Sequence, residues 1–104
     1  MRVLASLLKV ARCDEVPEER GLVVSVRGRY VAVFKVGDDF YAMDNSCQHA
    51  GASLGDGDLI GACIHCPWHG WRYDVTTGAC LTDPRRRLPT YPVKIEGDEL
   101  FLEI

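Results

Sequence analysis

The chain has 104 residues and a formal net charge of -3, from 12 basic and 15 acidic side chains. This length corresponds to one small domain, and the globular composition excludes an intrinsically disordered chain. The acidic balance argues against general binding of nucleic acid or of anionic membranes. Every apolar stretch is far shorter than the roughly 20 residues of a membrane-spanning helix.

The N-terminal half predicts short antiparallel strands joined by tight turns. Residues 4–10 are mostly apolar, and the run is interrupted at Lys9 with no cleavage site after it. We therefore interpret this segment as a first strand rather than an export signal, and we expect a cytoplasmic protein. A polar connector with Pro17 follows. Further strands are predicted over 22–26, 30–36 and 40–43, with turns at 27–29 and 37–39.

The pattern changes after Asp44, because five glycines fall between positions 45 and 70. Such a density favours loops with unusual backbone angles. No segment has a sustained helical period, so we predict an all-β domain, a small antiparallel barrel or sandwich. It would be a single domain over 1–104 with a loop-rich insertion at about 45–82. The remaining predictions are a strand at 71–75, an irregular segment at 83–92 and a hairpin of 91–95 with 100–104.

The cysteine content indicates metal or redox chemistry. An odd number of cysteines without an export signal argues against a disulfide framework. The five cysteines are Cys13, Cys47, Cys63, Cys66 and Cys80.

Two cysteine–histidine pairs form the strongest motif. They are Cys47-Gln48-His49 and Cys66-Pro67-Trp68-His69, with sixteen residues between His49 and Cys66. Together they offer two sulfur and two nitrogen ligands, a set that suits either zinc or an iron–sulfur cluster. In a [2Fe–2S] cluster of mixed ligation, two cysteines hold one iron and two histidines hold the other.

The two motifs resemble the ligand boxes of Rieske iron–sulfur proteins. The resemblance continues after each box and through the final hairpin, which looks like that of stand-alone Rieske-type ferredoxins. It implies one [2Fe–2S] cluster per chain. By this resemblance, Cys47 and Cys66 would bind one iron, while His49 and His69 would bind the other with their outer ring nitrogens toward solvent.

The resemblance implies a soluble one-electron carrier without a substrate of its own, and therefore not an enzyme. The expected partners are a flavin-containing reductase and a terminal oxygenase. One alternative is the small subunit of a NAD(P)H-dependent nitrite reductase. The other alternative, from a different class, is a structural zinc-binding interaction module.

The cluster environment predicts a low reduction potential. High-potential Rieske proteins have a disulfide whose half-cystines would fall at Ala52 and Trp68, and a serine where this chain has Trp71. Of the three potential-raising features, the chain keeps only the tyrosine, Tyr73. Rieske centres span about -150 to +300 mV, so we expect a potential below about 0 mV.

The other reactive or charged residues are predicted to have structural roles. Cys13, Cys63 and Cys80 would be packed or exposed thiols without a metal role, and His65 would lie at the surface or beside the ligands. Trp68 and Trp71 would cover the cluster or pack under it, with docking of a partner as the alternative for Trp68. The run Arg85-Arg86-Arg87 would be a solvated loop, with docking to an acidic partner as the alternative.

Overall fold

The computed structural model describes residues 7–48, 51–68 and 70–104. That part of the chain contains ten strands and two short 3₁₀ turns, and it contains no α-helix. The strands are β1 (Leu7–Arg12), β2 (Leu22–Val26), β3 (Arg29–Val36), β4 (Asp39–Asp44), β5 (Asp58–Ile60), β6 (Cys63–His65), β7 (Arg72–Asp74), β8 (Thr90–Tyr91), β9 (Val93–Glu96) and β10 (Glu99–Glu103).

These strands form three antiparallel sheets, which confirms the predicted all-β class. Their orders are β1-β10-β9, β2-β3-β4-β8 and β5-β6-β7. The β2–β3 turn has two residues with positive φ, Arg27 at 51° and Gly28 at 78°. That combination is typical of the hairpin turn whose twist matches its flanking strands. No helix among the described residues is long and apolar enough to cross a membrane.

Strand β3 lies between two hydrophobic cores. Its four central residues are fully buried, since successive side chains point to opposite faces of the sheet and both faces are covered. Val31 and Val33 join a core with Leu100 and Leu102 of β10. The core on the opposite face contains two of the predicted ligands, Cys47 and Cys66.

The second core joins β3 to the insertion. Ala32 and Phe34 of β3 pack in one cluster with Tyr73 of β7. Cys47 and Cys66 belong to the same cluster. Each large apolar side chain that is fully buried here contributes about 1.5–3 kcal/mol, so this core is what holds the insertion on the rest of the domain.

The structure differs from the predicted elements in two places. The stretch predicted as loop contains β5 and β6, whose three residues each are too few to show an alternating pattern. The predicted strand 91–95 is divided at Pro92 between β8 and β9, which belong to different sheets. Proline has no N–H for a strand ladder, which explains the break. Residues 4–6 of the predicted first strand lie outside the described residues.

Gly57 provides a test of how the insertion closes. A Cβ at Gly57 would lie against the carbonyl oxygen of His65, well inside contact distance. That oxygen belongs to a paired strand and cannot move freely. We therefore expect Gly57→Ala to reduce the free energy of unfolding by about 3 kcal/mol, the upper end of the range for overpacking. Urea unfolding followed by circular dichroism measures it.

Gly61→Ala is the matched control. Gly61 has a φ of 62° but open space around a Cβ, so only backbone strain of about 1 kcal/mol is expected. Equal losses for the two variants would contradict the close approach of Gly57 to β6.

Candidate metal centre

Two loops of six residues each begin with a cysteine and close by the same backbone bond. In the first loop, which follows β4, the Cys47 N–H donates to the Ala52 carbonyl at 2.9 Å. In the second loop, which joins β6 to β7, the Cys66 N–H donates to the Trp71 carbonyl at 2.7 Å. Both predicted cysteine ligands therefore occupy the first position of equivalent loops.

A glycine takes the fifth position of each loop. Gly51 has a φ of 71° and Gly70 a φ of 70°, in the left-handed region that other residues rarely adopt. The Gly51 N–H also donates to the Cys47 carbonyl at 2.7 Å. These glycines allow the chain to return toward its starting strand within six residues.

Asn45 anchors the first loop, and sequence reasoning missed it. It is buried, its side-chain amide donates to Ser53 Oγ at 2.9 Å, and its side-chain oxygen accepts the Gly55 N–H at 2.8 Å. Its backbone N–H donates to the Tyr30 carbonyl at 3.0 Å. A buried amide that bonds on both sides fixes the loop relative to the strand before it. The feature of the sequence that could have indicated this role is a polar residue just after a predicted strand.

The two cysteine thiols meet in the interior. Cys47 is 2% exposed and Cys66 is 4% exposed. Burial raises the pKa of Cys66, a backbone hydrogen bond from Trp68 opposes this, and the hydrogen bond with Cys47 adds to the rise. Because this rise favours the protonated thiol, metal binding must displace a proton from Cys66.

This donor set fits a metal centre that needs two thiolates. Two adjacent sulfurs shielded from water suit a soft ion or an iron–sulfur cluster. The other predicted ligands, His49 and His69, lie outside the described residues, so their role stays a prediction. Among the residues that the structure does describe, no group of three or more metal-binding side chains is assembled.

Tyr73, the potential-raising feature that the chain keeps, lies directly against the thiol of Cys47. Its side chain is fully buried, and its hydroxyl oxygen is 3.6 Å from Cys47 Sγ. The same oxygen accepts the Gln48 N–H at 3.1 Å. Burial raises the pKa of Tyr73 strongly and the contact with Cys47 raises it further. The hydroxyl therefore remains protonated and can donate to a thiolate sulfur.

Gln48 connects the first loop to the segment after β7. Its side-chain amide donates to the Arg87 carbonyl at 2.7 Å. All five cysteines are free thiols, so no disulfide links the two loops. Hydrogen bonds from Gln48 and packing around Tyr73 hold the region instead.

The other cysteines and His65 have the structural surroundings expected of them. Cys80 is buried in the core, and its sulfur accepts the Asp83 N–H at 3.3 Å. Cys13 and Cys63 are half-buried, and burial raises the pKa of Cys63. His65 is half-buried on β6, where it lies opposite Asp58 in the antiparallel pairing with β5.

The tryptophans and arginines differ in part from the expectation. Trp71 is half-buried and packs against the core, as predicted, with the Arg86 guanidinium 5.8 Å from the centroid of its ring. Trp68 is 55% exposed, which favours the alternative of an accessible side chain. The arginine run is exposed but not simply solvated, since Arg85 and Arg86 both pair with Asp83, at 3.0 and 3.2 Å.

A family comparison decides between the metal alternatives. The family model of the Rieske [2Fe–2S] domain matches residues 6–92. The chain belongs to the Rieske [2Fe–2S] family. Its cofactor is therefore one [2Fe–2S] cluster rather than a single zinc ion. The two cysteine loops described above are the part of the structure that fits this cluster.

Similar proteins are ferredoxins of dioxygenase systems. The ferredoxin component of the naphthalene 1,2-dioxygenase system of Pseudomonas aeruginosa is 43% identical over 91 residues, covering 86% of this chain and 88% of that protein. The ferredoxin of carbazole 1,9a-dioxygenase from Nocardioides aromaticivorans IC177 has a TM-score of 0.87 at 32% identity. The match covers 94% of this chain and 97% of that chain. A nitrite reductase small subunit, 23% identical with a TM-score of 0.83, shares the fold.

Tyr73→Phe tests the hydroxyl beside Cys47. A donor to the sulfur stabilises the reduced, more negative site, so its removal should lower the reduction potential while the cluster is retained. A hydrogen bond worth about 1 kcal/mol more in the reduced state corresponds to a fall of about 40 mV. Potentiometric titration of the purified protein measures the change.

Tyr91→Phe is the matched control, because Tyr91 is another hydrogen-bonded tyrosine, half-buried rather than fully buried, and it donates to Asp44 at 2.6 Å. Its removal should leave the potential unchanged. A lower potential in Tyr91→Phe but not in Tyr73→Phe would contradict the assignment.

Proposed function

We propose that this protein is a Rieske-type ferredoxin, a one-electron carrier between a flavin-containing reductase and a terminal oxygenase. The observation that carries the proposal is the pair of buried, mutually bonded thiols of Cys47 and Cys66 on two equivalent loops. Support comes from relatives of 36–43% identity that are ferredoxin components of dioxygenase systems. We expect a single domain over 1–104 and a cytoplasmic location.

The ligands we propose are Cys47 and Cys66 for one iron and His49 and His69 for the other. When bound, the cluster would accept and release one electron reversibly. With two thiolates and two neutral imidazoles, the oxidised site is neutral overall and reduction adds one negative charge. A neutral starting charge makes reduction easier than in a site with four thiolates.

The chain's own residues set the conditions for this electron. Burial of both sulfurs keeps water away from the thiolate side. The Tyr73 hydroxyl and the Trp68 backbone are placed to donate to the two sulfurs. The exposed second loop, with Pro67 and Trp68 at its surface, gives a partner access to the site.

A partner protein, rather than a substrate in an active site of this chain, is the natural electron acceptor. A solved complex of oxygenase and ferredoxin from carbazole 1,9a-dioxygenase contains a chain 33% identical to this one, with a TM-score of 0.84. The nitrite reductase alternative rests on a likeness that shows the fold alone. The carrier role within a dioxygenase system is therefore the better supported function.

Serine substitutions test the sulfur ligands. Cys47→Ser and Cys66→Ser should each lose most of the cluster, because the hard oxygen is a poor substitute for a thiolate. Iron and sulfide counts, with the electron paramagnetic resonance spectrum of dithionite-reduced protein, measure retention. The unmodified chain should hold two irons and give a signal of low average g.

Cys80→Ser and Cys13→Ser are the matched controls, and both should keep the cluster. Cys80 is as deeply buried as Cys47, so this comparison separates ligation from burial. A full cluster in Cys47→Ser, or one zinc per chain in the unmodified protein, would contradict the proposal.

The reduction potential tests the environment of the cluster. The absence of an inter-loop disulfide and of a serine at position 71 predicts a value in the lower half of the Rieske range, below about 0 mV. Potentiometric titration at neutral pH measures it. A value near the upper limit of about +300 mV would show that other hydrogen bonds compensate for both absences.

A further inference from the structure

The turn that follows β7 presents three arginines beside the cysteine loops. We call residues 81–87 the arginine turn. It contains Arg85, Arg86 and Arg87 against a single acidic residue, Asp83, and so carries a formal charge of +2 in a chain of -3. All three arginines are exposed. A local charge opposite to the net charge orients a molecule as it approaches a charged partner.

The arginine turn is fixed to both cysteine loops. The Arg87 carbonyl accepts the Gln48 side-chain amide of the first loop at 2.7 Å. The Arg86 guanidinium lies over Trp71, the last residue of the second loop. The charges of the arginine turn therefore lie next to the two loops that hold the proposed cluster.

Asp83 organises the arginines before any partner arrives. Arg85 donates to both oxygens of Asp83, at 3.0 and 3.2 Å, and Arg86 donates to one of them at 3.2 Å. These hydrogen bonds lower the pKa of Asp83 to about 2, so the carboxylate stays charged at any working pH. Because Asp83 is charged, a carboxylate of the partner must compete with it for the hydrogen-bond donors of Arg85 and Arg86.

The second cysteine loop and the arginine turn each have an exposed apolar side chain. Trp68 of the second loop is 55% exposed, and Leu81 at the start of the turn is 47% exposed. The Leu81 N–H donates to the carbonyl of Arg72 at 2.7 Å, next to Trp71 in the chain. Aromatic and arginine side chains are the residues that most often dominate protein interfaces.

We propose that the arginine turn, with Trp68 and Leu81, is the docking surface for an acidic face of the terminal oxygenase. This inference rests on the proposed function and names the surface and the charge of its partner. A nucleic acid is a poor occupant, since the chain is acidic and the basic area is a single short turn. A solved complex of a similar ferredoxin with its oxygenase supports the choice of that partner.

Small redox reagents first test the charge near the site. Each reduced protein passes one electron to one ferricyanide ion, giving ferrocyanide. If the arginine turn controls approach, the rate should fall about tenfold as salt rises from low to physiological ionic strength, since opposite charges attract. A rate that rises with salt, as the net negative charge of the whole chain alone would give, would overturn the proposal.

Matched substitutions then identify the residues. Arg85→Gln should weaken this salt dependence, Asp83→Asn should strengthen it, and Arg85→Lys should preserve it. Arg12→Gln is the control, because Arg12 pairs with an aspartate two residues away in the same manner, on the sheet that carries no cysteine loop. Equal effects of Arg85→Gln and Arg12→Gln would contradict a local docking role.

The protein partner is tested with the oxygenase and reductase components of a naphthalene 1,2-dioxygenase system. Arg85→Gln should slow electron transfer to the oxygenase at low salt, with an unchanged electron paramagnetic resonance spectrum and an unchanged potential. Slowing only with the reductase would overturn the assignment of the partner. A protein that is neither reduced by the reductase nor reoxidised by the oxygenase would instead contradict the proposed function, while unchanged rates in Arg85→Gln would contradict only the docking surface.

Discussion

Backbone hydrogen bonds that close two short loops determine the geometry on which the site depends. In each loop a cysteine N–H bonds to the carbonyl five residues later, and a glycine with positive φ allows the return. These bonds bring two sulfurs from distant parts of the sequence into contact in the core. A disulfide is not needed for this arrangement, because the closing bonds lie within each loop and Gln48 and Tyr73 connect the loops to their surroundings.

The loops depend in turn on the packing of β3. One face of β3 packs in the core that includes β10, and the other face packs in the core that contains both cysteines. The insertion is thus part of the main hydrophobic structure rather than an appendage on it. That arrangement explains why buried polar contacts such as those of Asn45 appear at the base of the first loop.

The sequence predicted the long strands and the class of fold, because alternation is a local pattern. It also singled out Cys47 and Cys66 by their spacing, while the ligand roles of all four residues stay a prediction. It could not show β5 and β6, since three residues are too few for a pattern, nor the break at Pro92 between two sheets. The roles of Asn45 and Gln48 depend on partners 8 to 39 residues away. Arg86 and its partner Asp83 are close in sequence, but only the structure places Arg86 over Trp71.

The most direct test of this account is Mössbauer spectroscopy of the ⁵⁷Fe-enriched, oxidised protein. If the two cysteines bind one iron and the two histidines the other, two quadrupole doublets of equal area should appear, with distinct isomer shifts for the sulfur-ligated and nitrogen-ligated irons. A single doublet would show two equivalent irons. That result would contradict the division of ligands on which the proposed function rests.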